Sequence, residues 1–167
     1  MPGSYFWLLY VHIVMAALFL GGMVLFQILL ASLRWRLSPT EYASVVVSIL
    51  RFFHPLLLLF MGLLILTGAW NLTDLKTAMG LSFGKLFFLL AFKLGGVFLL
   101  VMGMSFQFFA LGLRLTRGTG PTGNGRPLAD TFEERLRLLR VVGRINLANI
   151  VITLFTFYFA LALGKGI

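Results

Sequence analysis

Three ionisable side chains interrupt long apolar stretches of this sequence: His12, His54 and Lys93. An imidazole can ligate a metal or haem iron, or hold and release a proton near neutral pH. An ammonium can pair with a carboxylate or assist a proton transfer. Seven methionines add thioether sulfur, a ligand suited to Cu(I). Met15 follows His12 by three residues, on the same helical face, whereas Met102 and Met104 fall late in the third apolar stretch. There is no cysteine, which excludes disulfides, thiolate metal sites and cysteine nucleophiles. The Gly- and Pro-rich run from Gly118 to Pro127 is expected to be a flexible loop, and it has no Gly-Lys-Ser/Thr to make it a phosphate loop.

The chemistry of these residues depends on their solvent. Of the 167 residues, 60% are apolar and 11% charged, against roughly 45–50% and 25% in an average soluble domain. Mean hydropathy is +1.00. A globule of this size cannot hide that much apolar surface, so the chain is read as an integral membrane protein of one domain. Four stretches nearly free of charge, 1–33, 52–73, 94–113 (reaching back to 86 if Lys93 is tolerated) and 145–164, each approach the ~20 residues that cross a ~30 Å bilayer core. They are continuously apolar rather than alternating, which excludes a barrel. The expectation is an all-α four-helix bundle, with helices at about 5–33, 42–71, 84–114 and 132–164 and a loop at 115–130. The first stretch lacks a basic start and far exceeds a signal-peptide core, so it is read as a retained helix.

The net charge of +9 reports topology rather than nucleic acid. Ten basic residues lie in the first and third links: Arg34, Arg36 and Arg51, then Arg114, Arg117, Arg126, Arg135, Arg137, Arg140 and Arg144. Three, Lys76, Lys85 and Lys165, lie at the other face. The basic links are expected in the cytoplasm and both termini outside it. Thr131 to Glu134 (TFEE) reads as a capping box opening the last helix, whose arginines face anionic headgroups. Pro39-Thr40-Glu41 opens a lead-in to the second helix, and Pro55 marks a kink or the start of its spanning part.

At 1.5 Å per residue, His12 and Lys93 both fall about 9–10 Å below the outer boundary, while His54 falls about 25 Å below it. A single haem held by both histidines is disfavoured by that ~16 Å mismatch. His12 is expected to ligate a cofactor, alone or with another helix or subunit, or to handle protons; the bland alternative is a packing histidine. His54 reads as an interfacial histidine, or as a metal ligand of a second site. Lys93 either partners His12 or snorkels outward. Ala17-x-x-x-Gly21 and Ala91-x-x-x-Gly95, widened by Gly22 and Gly96, are notches for close helix contact or for a flat cofactor. Asn146, Asn149, Gln27 and Gln107 are expected to hydrogen-bond between helices.

The first helix, His12-Ile-Val-Met-Ala-Ala-Leu-Phe-Leu-Gly21-Gly22, resembles that of the copper resistance D (CopD) superfamily, which includes the HemJ-type protoporphyrinogen oxidases. The family pattern sets a Gly about ten residues after the His and an aromatic, usually Trp, at +7, where this chain has Phe19. Leu66-Thr67-Gly68-Ala69-Trp70 is similar to the family's Thr-Gly, and Gly143-Arg144-Ile-Asn146 to its fourth helix. Lys85-Leu86, with Gly80 before it, and Lys93-Leu94 compete for the family Lys-Leu. The resemblance implies a four-helix protein of the bacterial inner membrane that handles haem b or another porphyrin, with a redox role, through His12 and Lys93 or Lys85. Copper handling through His12 and Met15 is its other branch. A third expectation is a non-catalytic subunit of a larger membrane complex, or a homo-oligomer. The topology has a direct test: with Thr122→Cys and Thr77→Cys placed singly, only position 77 labels from outside intact cells.

Overall fold

The computed structural model describes residues 2–78, 83–116 and 132–165, with side chains over 6–70, 87–88, 90–115 and 132–161. Thr131, the Gly- and Pro-rich run, and the side chains of Lys76, Lys85 and Lys165 lie outside the described residues. The chain forms α1 (Pro2–Arg36), α2 (Pro39–Ala78) and α3 (Phe83–Ser105). A π-helical segment (Phe106–Gly112) and a short α4 (Leu113–Thr116) prolong α3, and α5 (Phe132–Lys165) closes the fold. Four of these runs, Phe6–Arg36, Pro39–Trp70, Leu90–Leu115 and Phe132–Leu161, are long and apolar enough to cross a membrane. The protein is an all-α, multi-pass membrane protein, as its composition requires.

The helices run past their expected bounds, and at the start of α2 a cap accounts for it. Only Leu37 and Ser38 separate α1 from α2. The Ser38 hydroxyl donates to Glu41 Oε2 at 2.7 Å, and the Ser38 N–H donates to the same oxygen at 3.1 Å. With Pro39 at the first helical position, this is a capping box that starts α2 three residues before the expected boundary. Pro55 lies inside α2 and neither opens nor closes it. It cannot donate to the carbonyl of Arg51, but the helix runs on through it.

So short a link fixes an antiparallel register. Each step forward on α1 is one step back on α2: His12 meets Thr67, Gly22 meets Leu57, and Phe26 stacks on Phe53. The pair α3 and α5 is built the same way. Side chains of Thr156 and Asn149, seven residues apart on α5, occupy the space where Gly96 and Gly103, seven apart on α3, have no Cβ. The pairs α1–α2 and α3–α5 hold the most extensive packing, and α1 also lies against α5. Phe26, Val46, Leu50, Leu139 and Val142 fill the half of the bundle nearest the basic links. Phe19, Met23, Leu57 and Met104 continue the core above them. Large apolar side chains such as Leu59, Phe98 and Phe155 face outward, toward lipid.

The inner face of α5 is polar. Asn146, Asn149, Thr153 and Thr156 recur at spacings of three and four residues, and all four are buried. Both threonine hydroxyls donate back to the carbonyl four residues earlier, at 2.7 and 2.8 Å. The two asparagines reach across the bundle, as expected. Asn146 Nδ2 donates to the Met23 carbonyl and to Gln27 Oε1, both at 3.0 Å, tying α5 to α1. Asn149 Nδ2 donates to Gln107 Oε1 at 3.4 Å, tying α5 to the π segment. Interhelical hydrogen bonds in membranes average about 0.6 kcal/mol each, with a maximum near 1.7. Asn146→Ala removes two of them and leaves Gln27 Oε1 without that donor, but also removes the partnerless Asn146 Oδ1. The net expected loss is about 1–2 kcal/mol of unfolding free energy, measured by denaturant titration in detergent. An unchanged midpoint would show that this bond does not hold α1 to α5.

Candidate functional site

His12 sits on the face of α1 that carries Ala16, Phe19 and Met23, all buried, so its ring meets the bundle and not lipid. The ring is half-buried. Its Nδ1 lies 2.8 Å from Thr67 Oγ1 on α2. The Thr67 hydroxyl also contacts the Leu63 carbonyl at 2.8 Å and the Leu64 carbonyl at 3.2 Å. A carbonyl only accepts, so a hydroxyl proton directed to the backbone leaves the oxygen to accept from His12 Nδ1–H. In that arrangement the neutral ring has its proton on Nδ1 and its lone pair on Nε2, and a hydroxyl turned to the ring reverses the two.

Two neighbours complete this level. A Cβ built on Gly68 would stand 3.1 Å from His12 Cε1, so the glycine is what lets the imidazole lie against α2. Lys93, half-buried on α3, is within electrostatic range of the ring. The expected pairing of His12 with Lys93 has this electrostatic influence as its counterpart. Sequence reasoning quoted Thr67 and Gly68 without giving either a role. The signal was present: folding α1 back on α2 about a two-residue link brings the middle of the 60s opposite residue 12.

His54 occupies a different place. The expectation of an interfacial histidine is corrected: its side chain is only 2% exposed, enclosed by the bundle. The amide of Gln107 has Nε2 3.2 Å from His54 Nε2. An amide nitrogen only donates, so His54 Nε2 accepts and its lone pair is already engaged. Asn149 continues the chain by donating to Gln107. The rings of Phe26 and Phe108 lie against the imidazole at centroid distances of 6.3 and 6.1 Å. A Cβ on Gly112 would stand 2.7 Å from His54 Nδ1. The π segment makes this enclosure possible. Its widened turn, marked by the Leu113 N–H donating to the Phe108 carbonyl, turns Gln107, Leu111 and Gly112 inward together. Nothing in the local sequence signalled that widening.

The structure does not bring the two histidines together. His12 contacts α2 at Thr67, and His54 stands thirteen residues earlier on the same helix, about 20 Å along its axis. Among the described residues no three His, Cys, Asp or Glu side chains converge to hold a metal ion. The notches beside Gly22 and Gly96 are filled by the Leu57 and Thr156 side chains, so both glycines serve close helix contact here. The wider faces are not used within the chain: Gly21 and Gly95 have no neighbour within 4 Å.

The enclosure of His54 has a measurable consequence. Gly112→Ala forces a methyl group onto the imidazole, an overpacking that costs about 1–3 kcal/mol. Gly21→Ala meets open space and is expected to leave stability unchanged. Melting temperatures of the two variants in detergent check this, and equal values would refute the tight contact. In comparisons with known proteins, no family model, no curated protein and no solved structure matches this chain.

Proposed function

We propose that this chain is a membrane haem b or porphyrin-binding protein with a redox role, in which His12 offers Nε2 as the axial ligand or proton acceptor. The observation that carries the reading is the anchoring of His12 Nδ1 by Thr67. Histidines that ligate a metal almost always donate their other ring N–H to a fixed acceptor, which sets the tautomer and aims the free nitrogen. The residues present fit one axial position. Thr67 holds the proton of Nδ1, Gly68 leaves the ring its space, and Nε2 keeps the lone pair. A bound haem would supply one-electron chemistry at the iron. Lys93 provides a positive charge at the same depth, able to pair with a propionate or to pass a proton to His12.

His54 is assigned a structural part in this reading, since its Nε2 already accepts from Gln107. Copper handling would recruit Met15, half-buried and three residues beyond His12. The membrane in question is a bacterial plasma membrane, with the basic links in the cytoplasm and the histidine–lysine pair in the outer half. The outward-facing Gly21 and Gly95 support a further subunit, either a second copy or part of a larger complex.

The test is a reduced-minus-oxidised absorption spectrum of the detergent-purified protein, with metal analysis of the same sample. A Soret band with sharp α and β bands is expected. His12→Ala should abolish it, whereas His54→Ala should retain the spectrum at reduced thermal stability. Thr67→Val, which keeps the shape and removes the anchor, should weaken cofactor affinity about 10–100-fold. Lys93→Met should be milder than His12→Ala. Full occupancy in His12→Ala would overturn the site. Bound copper in a colourless protein would transfer it to the copper branch, and neither haem nor copper would leave a non-catalytic membrane subunit.

A further inference from the structure

A groove of about 570 Å³ opens between the last turns of α1, the start of α2 and the first third of α5. Three guanidiniums line it: Arg34 from α1, and Arg140 and Arg144 from α5. None of its lining residues is acidic. All three arginines are exposed, and Arg34 is within electrostatic range of the Tyr42 hydroxyl, which also lines the groove. Arg34 and Arg140 mark one end, and Arg144 stands one turn, about 6 Å, deeper. From Arg34 the groove runs back along α1 to Gln27, and from Arg140 along α5 to Leu147, in each case seven residues or about 10 Å. Apart from Gln27 and Arg144, the walls there are Leu30, Ala31, Gly143 and Leu147. Arg34 stands two residues from the end of the α1 span, and Arg140 and Arg144 come before the charge-free stretch of α5 that begins at residue 145.

A ligand complementary to this surface must be anionic at one end and apolar at the other. A soluble anion would satisfy the arginines and leave the apolar trough to water or lipid tails. An acidic peptide would not follow the trough below the membrane surface. We infer that the groove between α1, α2 and α5 is a binding site for an anionic phospholipid, its phosphate held by Arg34, Arg140 and Arg144 and one acyl chain lying toward Leu147. Guanidinium groups suit phosphate because their planar fork donates two parallel hydrogen bonds. Basic pockets between membrane helices recognise anionic headgroups on this ground. The site differs from general attraction to a charged membrane surface because its cations come from two helices that meet over a shaped trough. The bound lipid would bridge α1 and α5 beside the Asn146–Gln27 hydrogen bond.

The experiment measures lipid retention by native mass spectrometry and the melting temperature of the full chain in detergent micelles. The micelles are doped with dioleoyl phosphatidylglycerol, with dioleoyl phosphatidylcholine, or with glycerol phosphate. Phosphatidylglycerol should be retained and should raise the melting temperature, and the other two should not. Each of Arg34→Gln, Arg140→Gln and Arg144→Gln should weaken retention about five-fold, the factor that corresponds to one basic residue at a membrane surface. Arg36→Gln and Arg137→Gln, at the same end but outside the groove, should leave it unchanged. Ala31→Phe keeps every charge and obstructs the trough, and it should reduce retention as well. Equal stabilisation by phosphatidylcholine would overturn the role of charge. Equal stabilisation by glycerol phosphate would overturn the lipid. An equal loss in the Arg36 and Arg137 variants would reduce the effect to surface attraction.

Discussion

The arrangement of this bundle depends on the amide groups of Asn146 and Asn149, buried on the inner face of α5. In water, four amphipathic helices would find each other by burying apolar faces. These helices are apolar nearly all round, and lipid solvates a leucine about as well as another helix does. Hydrophobic burial therefore discriminates poorly between one rotation of α5 and another. An amide turned toward hydrocarbon would lose its hydrogen bonds, at a cost of several kcal/mol. That penalty rotates α5 so that Asn146 meets Met23 and Gln27, and Asn149 meets Gln107. Glycines then set how near the helices come. Gly96 and Gly103 admit the threonine and asparagine of α5 because no Cβ stands in the way.

Once the helices are held in this way, the two histidines acquire different chemistry from the same side chain. His54 is enclosed by aromatic rings, with its accepting nitrogen taken by an amide. It completes the polar chain that begins at Asn149. His12 is anchored from behind, through Nδ1, and its Nε2 is left on the ring's other side. The difference lies in which partner each helix register supplies: a hydroxyl, or an amide N–H. Lys93 reinforces it, because its ammonium lies within electrostatic range of His12 and not of a second imidazole.

The two ends of the molecule are correspondingly unlike. Toward the basic links the core is continuous, with Phe26, Leu50 and Leu139 in one cluster and His54 enclosed beside Phe26. Toward the other face the polar stripe of α5 and the His12 level replace that packing.

Composition and the lengths of apolar runs determined that this protein crosses a membrane four times as helices, because backbone groups in lipid must be satisfied within each segment. Helical rise alone placed His12 and Lys93 at one depth and His54 at another, since depth along a straight helix is a one-dimensional quantity. The interhelical role of the four amides was legible for the same reason that they are costly: in hydrocarbon they have no other partner. Rotation and register were not legible. Whether His54 faced the headgroups or the core depended on how α2 turned. Thr67 became the partner of His12 only when Ser38 and Glu41 shortened the α1–α2 link to two residues. The π turn that carries Gln107 to His54, and the closure of the Gly22 and Gly96 notches by Leu57 and Thr156, belong to the same class. Each depends on which side chain the neighbouring helix presents, a contact between residues distant in sequence that no local pattern encodes.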